Sequence, residues 1–144
     1  MSSYDRILVP TDGSAGSIAA MEEAVEIATR NDATVFVVRV VNTDETMLFP
    51  PEANREQLIE IYKERASDTT AETAAVVEDA SIPVTSEVVE GVPHEAINDY
   101  AAENEIDLVV MGTRGRSGLE RTLLGSVTEK TVRTATVPVL VVQD

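Results

Sequence analysis

The stretch MGTRGRSGLERTLLGSVTEK, from Met111 to Lys130, concentrates the residue types that could bind an anion. Gly112, Gly115, Gly118 and Gly125 fall close together, Arg114 and Arg116 lie among them, and Ser126 follows the last glycine. Glycines at turns permit positive φ and close backbone approach, so successive N–H groups can point at one anion. The N–H groups of Ser126 and Val127 would be free donors at a helix start, and Ser126 adds a hydroxyl. A flexible loop ending in a serine cap would have the same composition, and Arg114 and Arg116 could approach phosphate or simply be solvated. The pattern is not GxxxxGK[ST], because no lysine precedes Ser126. Nor is it GxGxxG, because Gly112 and Gly115 are three apart.

Other chemistry finds little material. The chain has no cysteine, which excludes disulfides, thiolate metal sites and cysteine nucleophiles. Its single histidine, His94, follows Pro93 at a helix start, and no GxSxG elbow offers a serine for it to activate. No carboxylate cluster suggests a protein metal site. A capping or surface role suits His94 better than catalysis.

The elements that would position the glycine stretch can be read from five apolar runs. RILVP (from Arg6), TVFVVRVV (from Thr34), DLVVMG (from Asp107) and VPVLVVQ (from Val137) are nearly continuous, as suits parallel strands covered on both faces. PVTSEVVEG, from Pro83, alternates and reads as an edge strand. Between them lie four helical patterns. Ile18, Met21, Val25 and Ala28 mark the first, with Ser14 or Ser17 as its cap. Leu58, Ile61, Tyr62 and Arg65 begin a longer one ending near Asp79. Ala96, Ile97, Tyr100 and Ala101 mark the third, opened by Pro93. The last, from about Gly125 to Thr134, is expected to bury Val127, Thr131 and Ala135. The order β-α-β-α-β-α-β-α-β predicts one α/β domain over residues 1–144. Its sheet is an open, five-stranded parallel one with helices on both faces and right-handed crossovers. In the order 3-2-1-4-5, the turn PTDGS after strand 1 faces the glycine stretch after strand 4. Open α/β sheets bind ligands at that switch point. The segment from Asn42 to Glu56 is too long for a simple connection, and Pro50 and Pro51 delay any helix in it.

Composition constrains the partners. Aromatic residues are 3% of the chain, so the core is aliphatic, and 26 acidic against 11 basic residues give a net charge of −15. Such a surface repels nucleic acid and anionic membrane. Strong acidity with only Lys63 and Lys130 as lysines suggests adaptation to a very salty cytoplasm, where screening relieves self-repulsion. The N-terminus lacks a signal-peptide core and no apolar run is long enough for a membrane span, so a cytoplasmic protein is expected.

The spacing Gly112-x2-Gly115-x9-Gly125-Ser126 resembles the G-x2-G-x9-G-(S/T) signature of the nucleotide-binding branch of the universal stress protein family. ILVPTDGS resembles that family's first strand and turn, and EGVPHEAI its entry to the third helix. LVVMGTRGRSGLERTLLGSVTEKTVRTATVPVLVV resembles its C-terminal third. The likeness covers nearly the whole chain and departs mainly between Asn42 and Glu56. It implies an adenine nucleotide α-hydrolase-like fold and ATP as ligand, with Mg²⁺ carried mainly by phosphate oxygens. It also implies residue roles: Pro10, Thr11 and Asp12 against the adenosine, Val40 at the adenine edge and Met111 and Gly112 flanking the ribose. Gly115, Gly125, Ser126 and Val127 would hold the phosphates.

The same resemblance implies at most slow ATP hydrolysis, and a homodimer through the uncharged fifth strand, from Val137 to Val142, which otherwise leaves an unguarded edge. Two other classes share the expected fold. A receiver-like signalling module needs an aspartate after strand 3 and a lysine after strand 5, and neither is present. An adenine-nucleotide-processing enzyme needs an SGGxDS-like loop, which PTDGSAGS matches only loosely.

Overall fold

The computed structural model describes residues 3–12, 15–42, 54–113 and 125–143. Among the described residues, nine elements follow in the expected order: β1 (Arg6–Pro10), α1 (Ala15–Asn31), β2 (Thr34–Asn42), α2 (Arg55–Asp79), β3 (Val84–Gly91), α3 (Pro93–Glu103), β4 (Leu108–Gly112), α4 (Ser126–Thr134) and β5 (Val139–Val142). The five strands form one parallel sheet in the order β3-β2-β1-β4-β5. The segment 43–53, Ser14 and the residues from Arg114 to Leu124 lie outside the described residues.

Alternation along each strand divides the core into two layers. Ile7, Val9, Val35, Val37, Leu108 and Val110 face one side, packed with Ala20, Met21, Ala24 and Ala28 of α1 and Val77 of α2. Leu8, Phe36, Val38, Val109 and Met111 face the other, against Ile97, Tyr100 and Ala101 of α3. Helices on both faces explain why β1, β2 and β4 read as unbroken apolar runs. The edge strand β3, exposed or half-buried along its length, reads as alternating.

The faces of two helices differ from the sequence expectation. In α1, Ile18 is 55% exposed, and the buried stripe is Ser17, Ala20, Met21, Ala24 and Ala28. The cause is a close approach: a Cβ on Gly112 would lie 2.7 Å from the carbonyl of Gly16, so the first turn of α1 rests almost directly on the end of β4. In α4, Val127 is exposed and Ala135 half-buried, whereas Thr128 and Thr131 are buried. Both hydroxyls donate to carbonyls, Thr131 to Val127 within the helix (2.7 Å) and Thr128 to Gly112 across to the sheet (2.8 Å). These bonds let threonines take positions that would otherwise call for aliphatic residues.

Charged side chains tie the amino end of the sheet. Asp107 Oδ2 accepts from the backbone N–H groups of Asp5 (2.8 Å) and Arg6 (2.9 Å), joining the entries of β1 and β4. Arg6 Nε donates to the carbonyl of Asn104 (2.7 Å), and its guanidinium lies 4.6 Å from the centre of the Phe36 ring. Tyr100 packs edge-on against the same ring. Its hydroxyl is buried without a hydrogen-bond partner. Burial pushes the Tyr100 pKa above its ordinary value of 10.0, Glu87 adds to the rise, and Arg6 opposes it.

Candidate functional site

At the carboxyl end, β1 pairs with β2 over five rows but with β4 only at Ile7–Leu108 and Leu8–Val109. The ladder between β1 and β4 stops short of their ends, and the chain turns to opposite faces from there: β1 into α1, β4 towards α4. This is the switch point of the sheet.

The β1 side carries Pro10, Thr11 and Asp12. Thr11 continues the strand direction, its N–H donating to the carbonyl of Val38 (2.8 Å). Its side chain is buried and donates to the hydroxyl of Ser17 in α1 (3.1 Å). Pro10 and Asp12 are half-buried. Val40 lies further along β2, half-buried against the α3 layer and paired with Val89. It shares the carboxyl edge but is separated from β4 by β1.

The β4 side carries Met111, Gly112 and Thr113. The Met111 side chain is buried in the α3 layer, so its backbone is what it can offer a ligand. Gly112 has a reason for being glycine that sequence spacing did not supply, namely its contact with Gly16. That contact also measures how closely the β1–α1 turn approaches the end of β4. Thr113 N–H donates to the carbonyl of Val142, extending the pairing with β5 (3.1 Å).

Gly125 returns the chain to this edge. Its N–H donates to the carbonyl of Thr113 (2.6 Å), and its own carbonyl accepts from Glu129 (2.9 Å), the first bond of α4. As N-cap, Gly125 has φ −63° and ψ 154°, a conformation open to any residue, and it has no side chain with which to cap the helix. The contrast with α2 is direct: there Asn54 accepts from the N–H of Gln57 (3.1 Å). Ser126 and Val127, the first two residues of α4, are both exposed, so their side of the helix start faces solvent. Glu129, the acid of this first turn, is ion-paired with Arg133. The arrangement can place backbone N–H groups and the positive end of a helix against an anion in the crevice.

Pro10, Thr11, Asp12, Met111, Gly112, Gly125, Ser126 and Val127 are thus gathered around the β1/β4 switch point, with Val40 on the neighbouring strand. Gly115, Arg114, Arg116 and Gly118 lie outside the described residues. Sequence reasoning missed Gly16, Thr113 and Thr128, whose contacts join residues distant in the chain and carry no local signature. Among the described residues, no group of three or more His, Asp or Glu side chains is placed to hold a metal ion, and no helix is long and apolar enough to cross a membrane.

Comparison with known proteins places this geometry. A universal stress protein from Methanocaldococcus jannaschii, MJ0531, is 39% identical over 140 residues, covering 97% of this chain and 82% of that protein. The structure of MJ0577, from the same organism, superposes with a TM-score of 0.91 at 30% identity, covering 99% of this chain and 98% of the other. A universal stress protein solved in complex with cAMP superposes with a TM-score of 0.72 at 26% identity, covering 99% and 98%. The model of the universal stress protein family matches residues 3–143, and with the five-stranded sheet and its switch point already in place, the chain belongs to that family.

Proposed function

We propose that the chain, folded as one domain over residues 1–144, is an ATP-binding regulator whose nucleotide sits between the carboxyl ends of β1 and β4. The carrying observation is the start of α4, tied to the end of β4 through Gly125 and Thr113, with Ser126 and Val127 exposed beside it. The phosphates lie against the N–H groups of Ser126 and Val127, with Gly125 admitting close approach and Gly115 completing the cradle. Pro10, Thr11 and Asp12 line the adenosine, Val40 meets the adenine edge, and backbone groups of Met111 and Gly112 border the ribose. An adenine nucleotide on a related fold, the cAMP complex, supports the ligand class. Mg²⁺ would enter with ATP on phosphate oxygens, shielding their charge from the acidic surface.

The chain's own residues bind and orient; among the described residues none is placed as a general base, and in this reading turnover is slow and occupancy is the signal. Mass identification of the nucleotide released by heat from the purified protein tests the reading. ATP is expected, and a protein that neither retains nor rebinds an adenine nucleotide overturns it.

The assembly proposed is a homodimer through the β5 edge, from Val137 to Val142. β5 has only β4 beside it in the sheet, and Leu140 is 36% exposed. Light scattering should give twice the chain mass, and Leu140→Lys should give the monomer. The working environment proposed is a salt-rich cytoplasm, where a net charge of −15 keeps the protein soluble. Thermal stability should rise as potassium chloride approaches molar concentration, and a fall would contradict that assignment.

A further inference from the structure

We propose that Thr128 is a positioning residue for the phosphate end of the crevice: its hydroxyl latches the start of α4 to the end of β4. The inference rests on the ATP reading and names a residue outside the motif that suggested it.

Thr128 is the third residue of α4 and is 4% exposed. Its Oγ1 donates to the carbonyl of Gly112 at 2.8 Å, sixteen positions away in sequence. Gly112 is itself fixed from the other face by the backbone of Gly16, and its neighbour Thr113 is held by Val142 on one side and Gly125 on the other. The end of β4 is therefore held from several sides, and among the described residues Gly125 and Thr128 bond α4 to it. Further along, α4 is held against α3, where Asn98 Nδ2 donates to Thr134 Oγ1 (2.7 Å), so these two bonds act on its first turn. Two bonds, from the N-cap and from the third residue, fix the axis of the first turn.

The direction in which the N–H groups of Ser126 and Val127 point follows from that axis, since both lie between the two fastenings. Hydrogen bonds to an anion weaken steeply with misalignment. The Thr128 hydroxyl has its own acceptor, the carbonyl of the half-buried Gly112, and does not serve the ligand. Its effect reaches the phosphates only through helix orientation. Thr131 provides an internal comparison. It is fully buried on the same helix, but its hydroxyl donates to Val127 within α4 and fastens nothing to the sheet.

The test is to measure ATP and adenosine affinity side by side by calorimetry on the full chain. Thr128→Val keeps the volume and removes the hydroxyl; Thr128→Ala, which cannot overpack, is the second hydroxyl-free variant. Both should weaken ATP about tenfold, the scale of one lost hydrogen bond, while adenosine affinity stays within about twofold of wild type. Thr128→Ser, which retains the donor, should restore the ATP affinity. Thr131→Val should leave the ratio of the two affinities unchanged even if it lowers the melting temperature. An unchanged ratio in the hydroxyl-free variants, or no rescue by serine, overturns the latch while leaving ATP binding intact. A wild-type chain that binds neither ligand overturns the nucleotide reading itself, and the latch with it.

Discussion

At the amino end of the sheet the strands are tied by charged side chains, and at the carboxyl end by backbone groups and hydroxyls. Asp107 holds two N–H groups at the entry to β1, and Arg6 spans from Asn104 to the face of Phe36. At the other end, Gly112, Thr113, Gly125 and Thr128 make a compact set of bonds with no charged partner, and Gly16 presses on Gly112. Charged groups at the amino end are hydrogen-bonded locally to backbone groups the fold supplies. The carboxyl end leaves a helix start uncapped, with nothing in that set of bonds to compete for an anion. In a chain with a net charge of −15, dipoles and N–H groups offer an anion positive potential without a cationic side chain, and the start of α4 presents them at that end.

Substitutions can break this contrast at either end. The largest effect is expected at Gly112→Ala, whose new methyl meets the Gly16 backbone at 2.7 Å, a contact neither side can relieve by turning a rotamer. A loss of about 3 kcal/mol, the upper range for overpacking, should appear in chemical denaturation, together with loss of ATP binding. Asp107→Ala tests the opposite end. It removes the acceptor of two backbone N–H groups and should cost about 2 kcal/mol, with ATP affinity unchanged. If it weakened ATP as much as a carboxyl-end variant does, the two ends would not be separable.

Tyr100→Phe should have the smallest effect at neutral pH, neutral or slightly stabilising, because the hydroxyl it removes is buried and unpartnered. Its signature is alkaline. A folded pKa raised above 10.0 means that Tyr100 contributes full stability below that pH. The contribution is lost as the unfolded chain ionises first and pH rises towards the folded value. Wild type should therefore lose stability above about pH 10 more steeply than the phenylalanine variant, as followed by melting temperature across alkaline buffers.

The burial of the strands on both faces was legible in the sequence because Val-rich runs leave no polar alternation, and the alternating βα pattern suggested the doubly wound order. The β3 run, which does alternate, was correctly read as an edge. Helix faces were less legible. Periodicity assigned Ile18 to the core because it is large and apolar. The close approach of Gly16 to Gly112 reserves that surface for Ser17, Ala20 and Ala24, and no local pattern announces such a contact. The glycine spacing pointed to the candidate site, but it gave no sign that packing against α1 also requires a residue without a side chain at Gly112. Thr128 passed as ordinary helix because its partner is a backbone carbonyl on another element. Contacts of that kind become visible only once topology has brought the elements together.

The central claim is that the uncapped start of α4 receives the phosphates of ATP. Its most direct test is the ATP-induced rise in melting temperature, compared between wild type and Gly125→Val, since a ligand that binds only the folded state stabilises it. Valine suits the extended backbone of Gly125, with φ −63° and ψ 154°, so that conformation is no obstacle to folding, while its branched side chain blocks close approach. A rise of several degrees in wild type that vanishes in a folded Gly125→Val is the predicted result. An equal rise in both proteins would place the nucleotide elsewhere and contradict the account.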